Sequence, residues 1–303
     1  MSIFQGGTAV ITGAASGFGL EASRIAARRG MNVVMADVQA DALATASQEI
    51  AAMGTAVLPY RLDVSKAAEV EAMGAAVLSR FGAPSFVFNN AGVGAGGLLW
   101  ENTLKDWEWV IGVNLMSVAH GIRVFTPMML DAAKAKPSYR GHIVNTASMA
   151  GILNAPTMGI YNASKHAVVA ISETLYQDLA LVTEQVHAHV LCPFFVPTGI
   201  SKSERNRPGE LSEDSAPTRS QLVARALSEK AVSRGKVSAA QVAQFVFDAM
   251  AEKRFYVFSH PNSLSSVQTR LEDIMLQRNP TDPFKERPEV RKDLVEALKQ
   301  PQP

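Results

Sequence analysis

Tyr161 and Lys165 stand four positions apart in "GIYNASKHAV", residues 159 to 168, where the apolar spacing predicts the start of a helix. Positions i and i+4 lie one above the other on a helix, so a phenol and an ammonium share one face. A free phenol titrates near pH ~10 and is a poor base at neutral pH. An ammonium about 4.5 Å from the phenolate, at an effective dielectric of about 20, favours ionisation by roughly 3.7 kcal/mol before desolvation is subtracted. The pair is therefore expected to draw the tyrosine toward neutral pH and make it a usable acid or base. A surface polar pair is the bland alternative, and the rest of the chain has to separate the two.

A second chemical signal follows the first apolar run. In "TGAASGFG", Gly13, Gly17 and Gly19 are spaced G-x-x-x-G-x-G between a predicted strand and a predicted helix. Glycine lets the backbone turn tightly and approach a pyrophosphate, whose charge then sits among the unpaired N–H groups of the helix N-terminus. A glycine cluster alone is weak, but this context is the one that gives it meaning. Asp37 ends the second apolar run about twenty residues later, where a carboxylate accepts both ribose hydroxyls of an adenosine and repels a 2′-phosphate. Together these residues predict a nucleotide site that disfavours a 2′-phosphate.

The elements that must position these groups alternate along the chain. Strand-like runs at 8–12, 32–36, 56–64, 85–90, 141–148, 186–193 and 254–259 are separated by helical patterns starting near Gly17, before Met53, over 66–80 and 104–133, and from about Thr157 and Ala239. Strands joined by helix-length crossovers imply a parallel sheet covered on both faces, a doubly wound α/β fold of Rossmann type. We expect one catalytic domain over 1–258 and a C-terminal helical extension over 259–303. Polar, proline-containing residues 199–220 and the amphipathic "QLVARALSEKAV" interrupt the alternation, and the stretch 199–235 is read as a substrate lid. Val267, Leu271, Ile274 and Met275 form one helical stripe and Val290, Leu294 and Leu298 another, so two docked tail helices are expected.

Bulk properties narrow the class. The 303 residues are 47% hydrophobic and 19% charged, enough for a substantial core, and the net charge of +1 comes without a basic run suited to nucleic acid. Cys192 is the single cysteine, which excludes an intrachain disulfide framework and a Cys-x-x-Cys site. His187 and His189 share a predicted strand face, an arrangement more often structural than metal-binding, and no metal is expected. Trp107 and Trp109 are read as packing residues. Without a charged leader or a long uninterrupted apolar stretch, the expectation is a cytoplasmic protein with no membrane partner.

With the glycine turn, Asp37, "NNAG" at 89–92 and "YNASK" at 161–165 in order, the sequence over residues 5–258 resembles the short-chain dehydrogenase/reductase family in its compact single-domain form. The resemblance implies a nicotinamide dinucleotide and a Ser-Tyr-Lys catalytic set assisted by an asparagine. It places Gly13, Ser16, Gly17, Phe18 and Gly19 in the cofactor loop, Asp37 on the ribose, and Asp63 and Val64 on the adenine. It places Asn90, Ala91 and Gly92 beside the cofactor, and Pro193, Val196 and Thr198 beside the nicotinamide. Asn114 matches the asparagine that bends the long helix and holds a water in a proton relay. Ser148, Tyr161 and Lys165 match the catalytic set, and Ser148 would hold the substrate oxygen. Phe194 departs from the pattern, standing where glycine is usual. Leu153, Met158, Phe194 and Phe195 are expected to line an apolar substrate pocket. The resulting expectation is an NAD-dependent alcohol dehydrogenase and ketone reductase, acting on a bulky secondary alcohol or its ketone and forming a homodimer or homotetramer through the two long helices. Its rivals are an NADPH-dependent carbonyl reductase, which Asp37 disfavours, and a catalytically silent dinucleotide-binding protein.

Overall fold

The computed structural model describes residues 4–213 and 215–301. Its elements run β1 (Thr8–Thr12), α1 (Gly17–Arg28), β2 (Asn32–Asp37), α2 (Ala40–Ala51), β3 (Val57–Arg61), α3 (Ala67–Phe81), β4 (Phe86–Asn89), α4 (Leu104–Ile111) and α5 (Ser117–Ala135). They continue with β5 (Gly141–Thr146), α6 (Gly159–Val182), β6 (Val186–Cys192), α7 (Arg219–Ser233), α8 (Ala239–Glu252), β7 (Tyr256–Phe258), α9 (Leu264–Met275) and α10 (Pro288–Lys299). The strands form one sheet in the order β3-β2-β1-β4-β5-β6-β7, and every pairing is parallel. This is the expected doubly wound fold.

Alternation along the strands builds two cores. Ile11, Met35 and Phe88 face α1 and α8, whereas Val10, Val34, Val87 and Ile143 face α3, α5 and α6. Because the central strands are covered on both sides, their runs read as continuous apolar stretches rather than as alternating polar and apolar residues. The chain reverses direction across the sheet between β1 and β4, and a cleft opens beyond the carboxyl ends of the strands at such a point. The residues that carry chemistry sit at those ends.

Several boundaries differ from the sequence expectation for local reasons. β3 stops at Arg61 because Asp63 turns the chain, its carboxylate accepting from the Ser65 backbone N–H at 2.9 Å and from the Ser65 hydroxyl at 2.8 Å. α6 starts at Gly159, not Thr157, because Thr157 has φ +61°, which a helix does not admit. α4 and α5 run on from one another through a π-turn at Gly112–Met116. By length and composition Leu104–Ala135 is long and apolar enough to cross a membrane, but it packs on α3 and on strands β4 and β5, burying Asp106, Asn114 and Ser117.

The tail corrects one expectation. α10 docks on α7, with Leu294 buried and the Arg219 Nε donating to the Ala297 carbonyl at 2.9 Å. α9 does not bury its apolar stripe: Leu271, Ile274 and Met275 are exposed, and only Val267 joins the core beneath. The helix turns Asp273 inward instead, where its carboxylate accepts from the Thr281 backbone N–H at 2.9 Å and pairs with Arg278 at 3.0 Å.

Candidate active site

The cleft begins at the turn after β1. Gly13 (φ +64°) and Gly17 (φ +53°) take a backbone that favours glycine, and a Cβ on Gly19 would lie 2.2 Å from the Gly13 carbonyl oxygen. α1 therefore packs directly against the turn. Its N-cap, Ser16, makes no side-chain cap hydrogen bond, and no acidic residue occupies its first turn. The helix N-terminus thus keeps its N–H groups and positive dipole end for an anion, which is what a pyrophosphate requires. Asp37 is fixed at the end of β2, with Oδ2 accepting from the Ala15 N–H and Oδ1 from the Gln39 N–H, both at 3.0 Å. The residues present fit a dinucleotide: a glycine turn at an uncapped helix N-terminus, with Asp37, Asp63 and Val64 lining the same cleft.

The cleft continues as a cavity of about 1720 Å³, larger than the 300–1,000 Å³ typical of a single small-ligand site. It has room for a dinucleotide and a second molecule. Every residue expected at the cofactor or the substrate lines it except Gly19 and Asn114. Gly19 lies beneath the turn. Asn114 sits in the π-turn behind Val93, accepting from the Val93 N–H at 2.8 Å and donating to the Val93 carbonyl at 3.0 Å and to Ser164 Oγ at 3.1 Å. A π-turn interrupts the long helix at Asn114, and the Asn114 side chain is spent on fixing the chain at Val93.

β5 and α6 deliver the polar set. Ser148 follows β5, its Oγ accepting from the Ala150 N–H at 3.1 Å and donating to the Pro193 carbonyl at 3.3 Å. Lys165 is buried and its Nζ donates to the Thr146 carbonyl at 2.8 Å, 5.8 Å from the centre of the Tyr161 ring. Burial lowers the lysine to about 8. Tyr161 moves opposite to the sequence expectation: burial pushes its phenol up, and the Ser148 hydroxyl only partly offsets this. The lysine stands beside the ring, engaged with a backbone carbonyl, so desolvation outweighs its attraction here.

Phe194 is accommodated without strain. Positive φ among the non-glycine residues described occurs only at Thr157, Lys253 and Gln277. The Phe194 N–H donates to Ser259 Oγ at 2.9 Å, and its half-exposed ring meets Phe195 edge-on at 4.7 Å between centroids. It therefore adds an aromatic wall to the pocket instead of distorting the backbone.

The model of the short chain dehydrogenase family matches residues 7–209, two thirds of the chain. The chain belongs to the short-chain dehydrogenases. A short-chain dehydrogenase/reductase from Burkholderia phymatum, solved in complex with NAD, is 53% identical with a TM-score of 0.90, covering 93% of this chain and 99% of that one. The 1-deoxy-11-beta-hydroxypentalenate dehydrogenase of Streptomyces avermitilis is 35% identical over 89% of this chain and 88% of its own length. A "CLA biosynthesis dehydrogenase/reductase" of Lactiplantibacillus plantarum is 32% identical over 92% and 97% respectively. This short-chain dehydrogenase is thus an oxidoreductase of the nicotinamide-dinucleotide type that acts on a small molecule.

Sequence reasoning missed several residues that shape this dehydrogenase's site. Thr12 ends β1 and its Oγ1 accepts from the N–H groups of Asn90 at 2.9 Å and Ala91 at 3.0 Å, while Thr146 ends β5 and donates to Asn90 Oδ1 at 3.3 Å. A threonine at the last position of two strands was the available signal. Asn89 and Asn145 hydrogen-bond across the buried sheet at 2.8 Å, and Asn145 continues to Ser172 at 3.0 Å. His187 and His189 of β6 lie beside His142 of β5, where the buried His142 Nδ1 and His189 Nε2 are 3.0 Å apart. Among the described residues no set of three or more His, Cys, Asp or Glu side chains is arranged to hold a metal.

Proposed function

We propose that the protein is an NAD-dependent dehydrogenase of secondary alcohols, working also as a reductase of the corresponding ketones, with Tyr161 as the acid/base. The observation that carries this reading is the convergence of Ser148, Tyr161 and Lys165 on one cavity whose far end is the Gly13–Gly19 turn and Asp37. When bound, NAD supplies the hydride acceptor. Ser148 Oγ holds the substrate oxygen beside Tyr161, and Tyr161 Oη takes the hydroxyl proton during oxidation or returns it during reduction. Lys165, lowered to about 8, is largely charged at neutral pH and favours the phenolate as it forms. Burial alone keeps the phenol protonated, so the base is generated only when a positive charge and a substrate oxygen complete the site.

Substrate class follows from the walls. Leu153, Met158, Phe194 and Phe195 present apolar surface to the cavity, which suits a bulky apolar carbinol. Asp37 at the ribose position supports NAD over NADP. The reading includes a cytoplasmic protein and a homodimer or homotetramer through the long helices, supported by the exposed Met116, Tyr176, Leu181 and Val182 on their surfaces. The test is a panel of bulky secondary alcohols with NAD, monitored by the absorbance of reduced nicotinamide, with light scattering for assembly state. Binding of NAD without oxidation of any panel alcohol or reduction of any ketone would sink the dehydrogenase reading and favour a silent binding protein.

A further inference from the structure

Resting on the reading of the cavity as a secondary-alcohol site, we infer that it contains a built recognition point for a neutral acceptor oxygen on the substrate, formed by Arg207 and Trp109. Both residues line the cavity that holds Tyr161. Arg207 comes from the insertion after β6, and only 8% of its side chain is exposed. Trp109 lies on α4 and is 1% exposed. The guanidinium carbon sits 5.1 Å from the centre of the indole ring, so the two groups form one stacked unit.

The donors of this unit are only partly used. Arg207 Nη1 pairs with Asp106 Oδ1 at 2.8 Å and Nε donates to the Leu211 carbonyl at 2.7 Å. Arg207 Nη2 and Trp109 Nε1 are both buried and have no hydrogen-bond partner among the described residues. Guanidinium and indole are donors only, so neither can satisfy the other, and what completes the pair must be an acceptor. Buried donors are ordinarily partnered, and two unpartnered ones on stacked residues that both line the cavity point to a ligand oxygen.

Charge decides which kind of oxygen. Asp106 already balances Arg207, and its other carboxylate oxygen accepts from the Thr103 N–H at 3.0 Å and Gln221 Nε2 at 3.4 Å. Glu204 approaches Arg207 Nη1 at 3.9 Å. A substrate carboxylate would enter beside two acidic groups competing for one guanidinium, whereas an ether or carbonyl oxygen brings lone pairs without a charge to desolvate. The site therefore selects bulky alcohols that carry a neutral oxygen away from the reacting carbon.

An oxygen walk tests this. The compounds are 2-alkanols of fixed chain length in which one methylene, moved outward from the carbinol, is replaced by an ether oxygen. With the NAD-loaded protein, one oxygen position should raise kcat/KM over the all-carbon parent at least tenfold, and the Kd of the same compound should tighten in parallel. Trp109→Phe and Arg207→Lys should each reduce that ratio to below threefold, each variant compared with its own all-carbon parent. A walk that is flat in both kcat/KM and Kd overturns the inference while oxidation of the parent leaves the dehydrogenase reading standing. Oxygen-dependent binding without turnover does the reverse. An ω-carboxylate analogue binding tenfold tighter than the best ether would overturn the choice of a neutral oxygen.

Discussion

Replacing Asp37 by serine and Val38 by arginine should move the enzyme from NAD toward NADP, and the geometry sets the scale of the change. Two backbone N–H groups hold the Asp37 carboxylate at the cleft, so it cannot swing away from an incoming nucleotide. A ribose hydroxyl donating to this carboxylate gains about 1.5–3 kcal/mol. A 2′-phosphate removes that donor and brings negative charge to within about 5 Å, costing roughly 3 kcal/mol per unit charge at an effective dielectric of about 20. Asp37 is half-buried, and screening by salt reduces this repulsion by about half. The two effects together give a preference for NAD on the order of a hundredfold or more, with tenfold as the floor. Val38 is only partly buried, so an arginine there has a route to solvent and to the phosphate. The assay is kcat/KM for both cofactors in wild type, Asp37→Ser and the double variant at two salt concentrations, with melting temperatures as a control for the lost backbone ties. Equal use of the cofactors by the wild type, or an unshifted ratio in the double variant, would remove Asp37 from the selector role.

Tyr161→Phe should lower kcat by more than tenfold and leave the Kd for NAD within about threefold, read by steady-state kinetics and calorimetry; retention of more than a tenth of the activity refutes the acid/base assignment. Residues 199–235 should gain protection from hydrogen exchange when NAD and a ketone analogue bind together, because the segment already contacts both cleft walls through Asn206 to Gln39 and Arg207 to Asp106. Unchanged exchange at saturation argues against a lid. Burial lowers His142 to about 2 and His189 to about 4, so below about pH 6.5 the unfolded chain binds protons that the native state refuses. Stability should be fully present above that pH and fall on acidification by up to about 1.4 kcal/mol per pH unit for each histidine, measured by urea unfolding between about pH 7 and 5; a flat profile would show that these histidines do not control acid sensitivity.

The doubly wound fold was legible because parallel strands buried on both faces leave continuous β-branched and aromatic runs, and the crossovers leave helix-length gaps. The cofactor turn was legible for the same local reason: Gly13, Gly17 and Gly19 are required by backbone conformation or close approach, and such requirements leave residue types behind. What the spacing of Tyr161 and Lys165 did not reveal was the balance between attraction and desolvation. The i,i+4 relation put both groups on one face, but the direction of the phenol's shift depends on how deeply the rest of the chain encloses it.

The insertion and tail were the least legible parts, for a different physical reason. The insertion is polar because it holds itself in place with charges and caps rather than with an apolar stripe, so periodicity says little about where it goes. In sequence Arg205 and Arg207 are two cations of the insertion that leave an acidic substrate open. In the fold Arg207 is buried on Trp109 and tied to Asp106, which also closes the capping box of α4 with Thr103 and meets Gln221 at the start of α7. Three elements therefore converge on one carboxylate, and the wall of the substrate cavity depends on contacts between residues about a hundred positions apart. α9 shows the converse. Its clean apolar stripe predicted docking, yet burying Asp273 with Thr281 and Arg278 turned Leu271, Ile274 and Met275 outward. A buried carboxylate must find its donors, whereas an exposed leucine loses only its own transfer energy, so the polar requirement fixed the rotation of the helix.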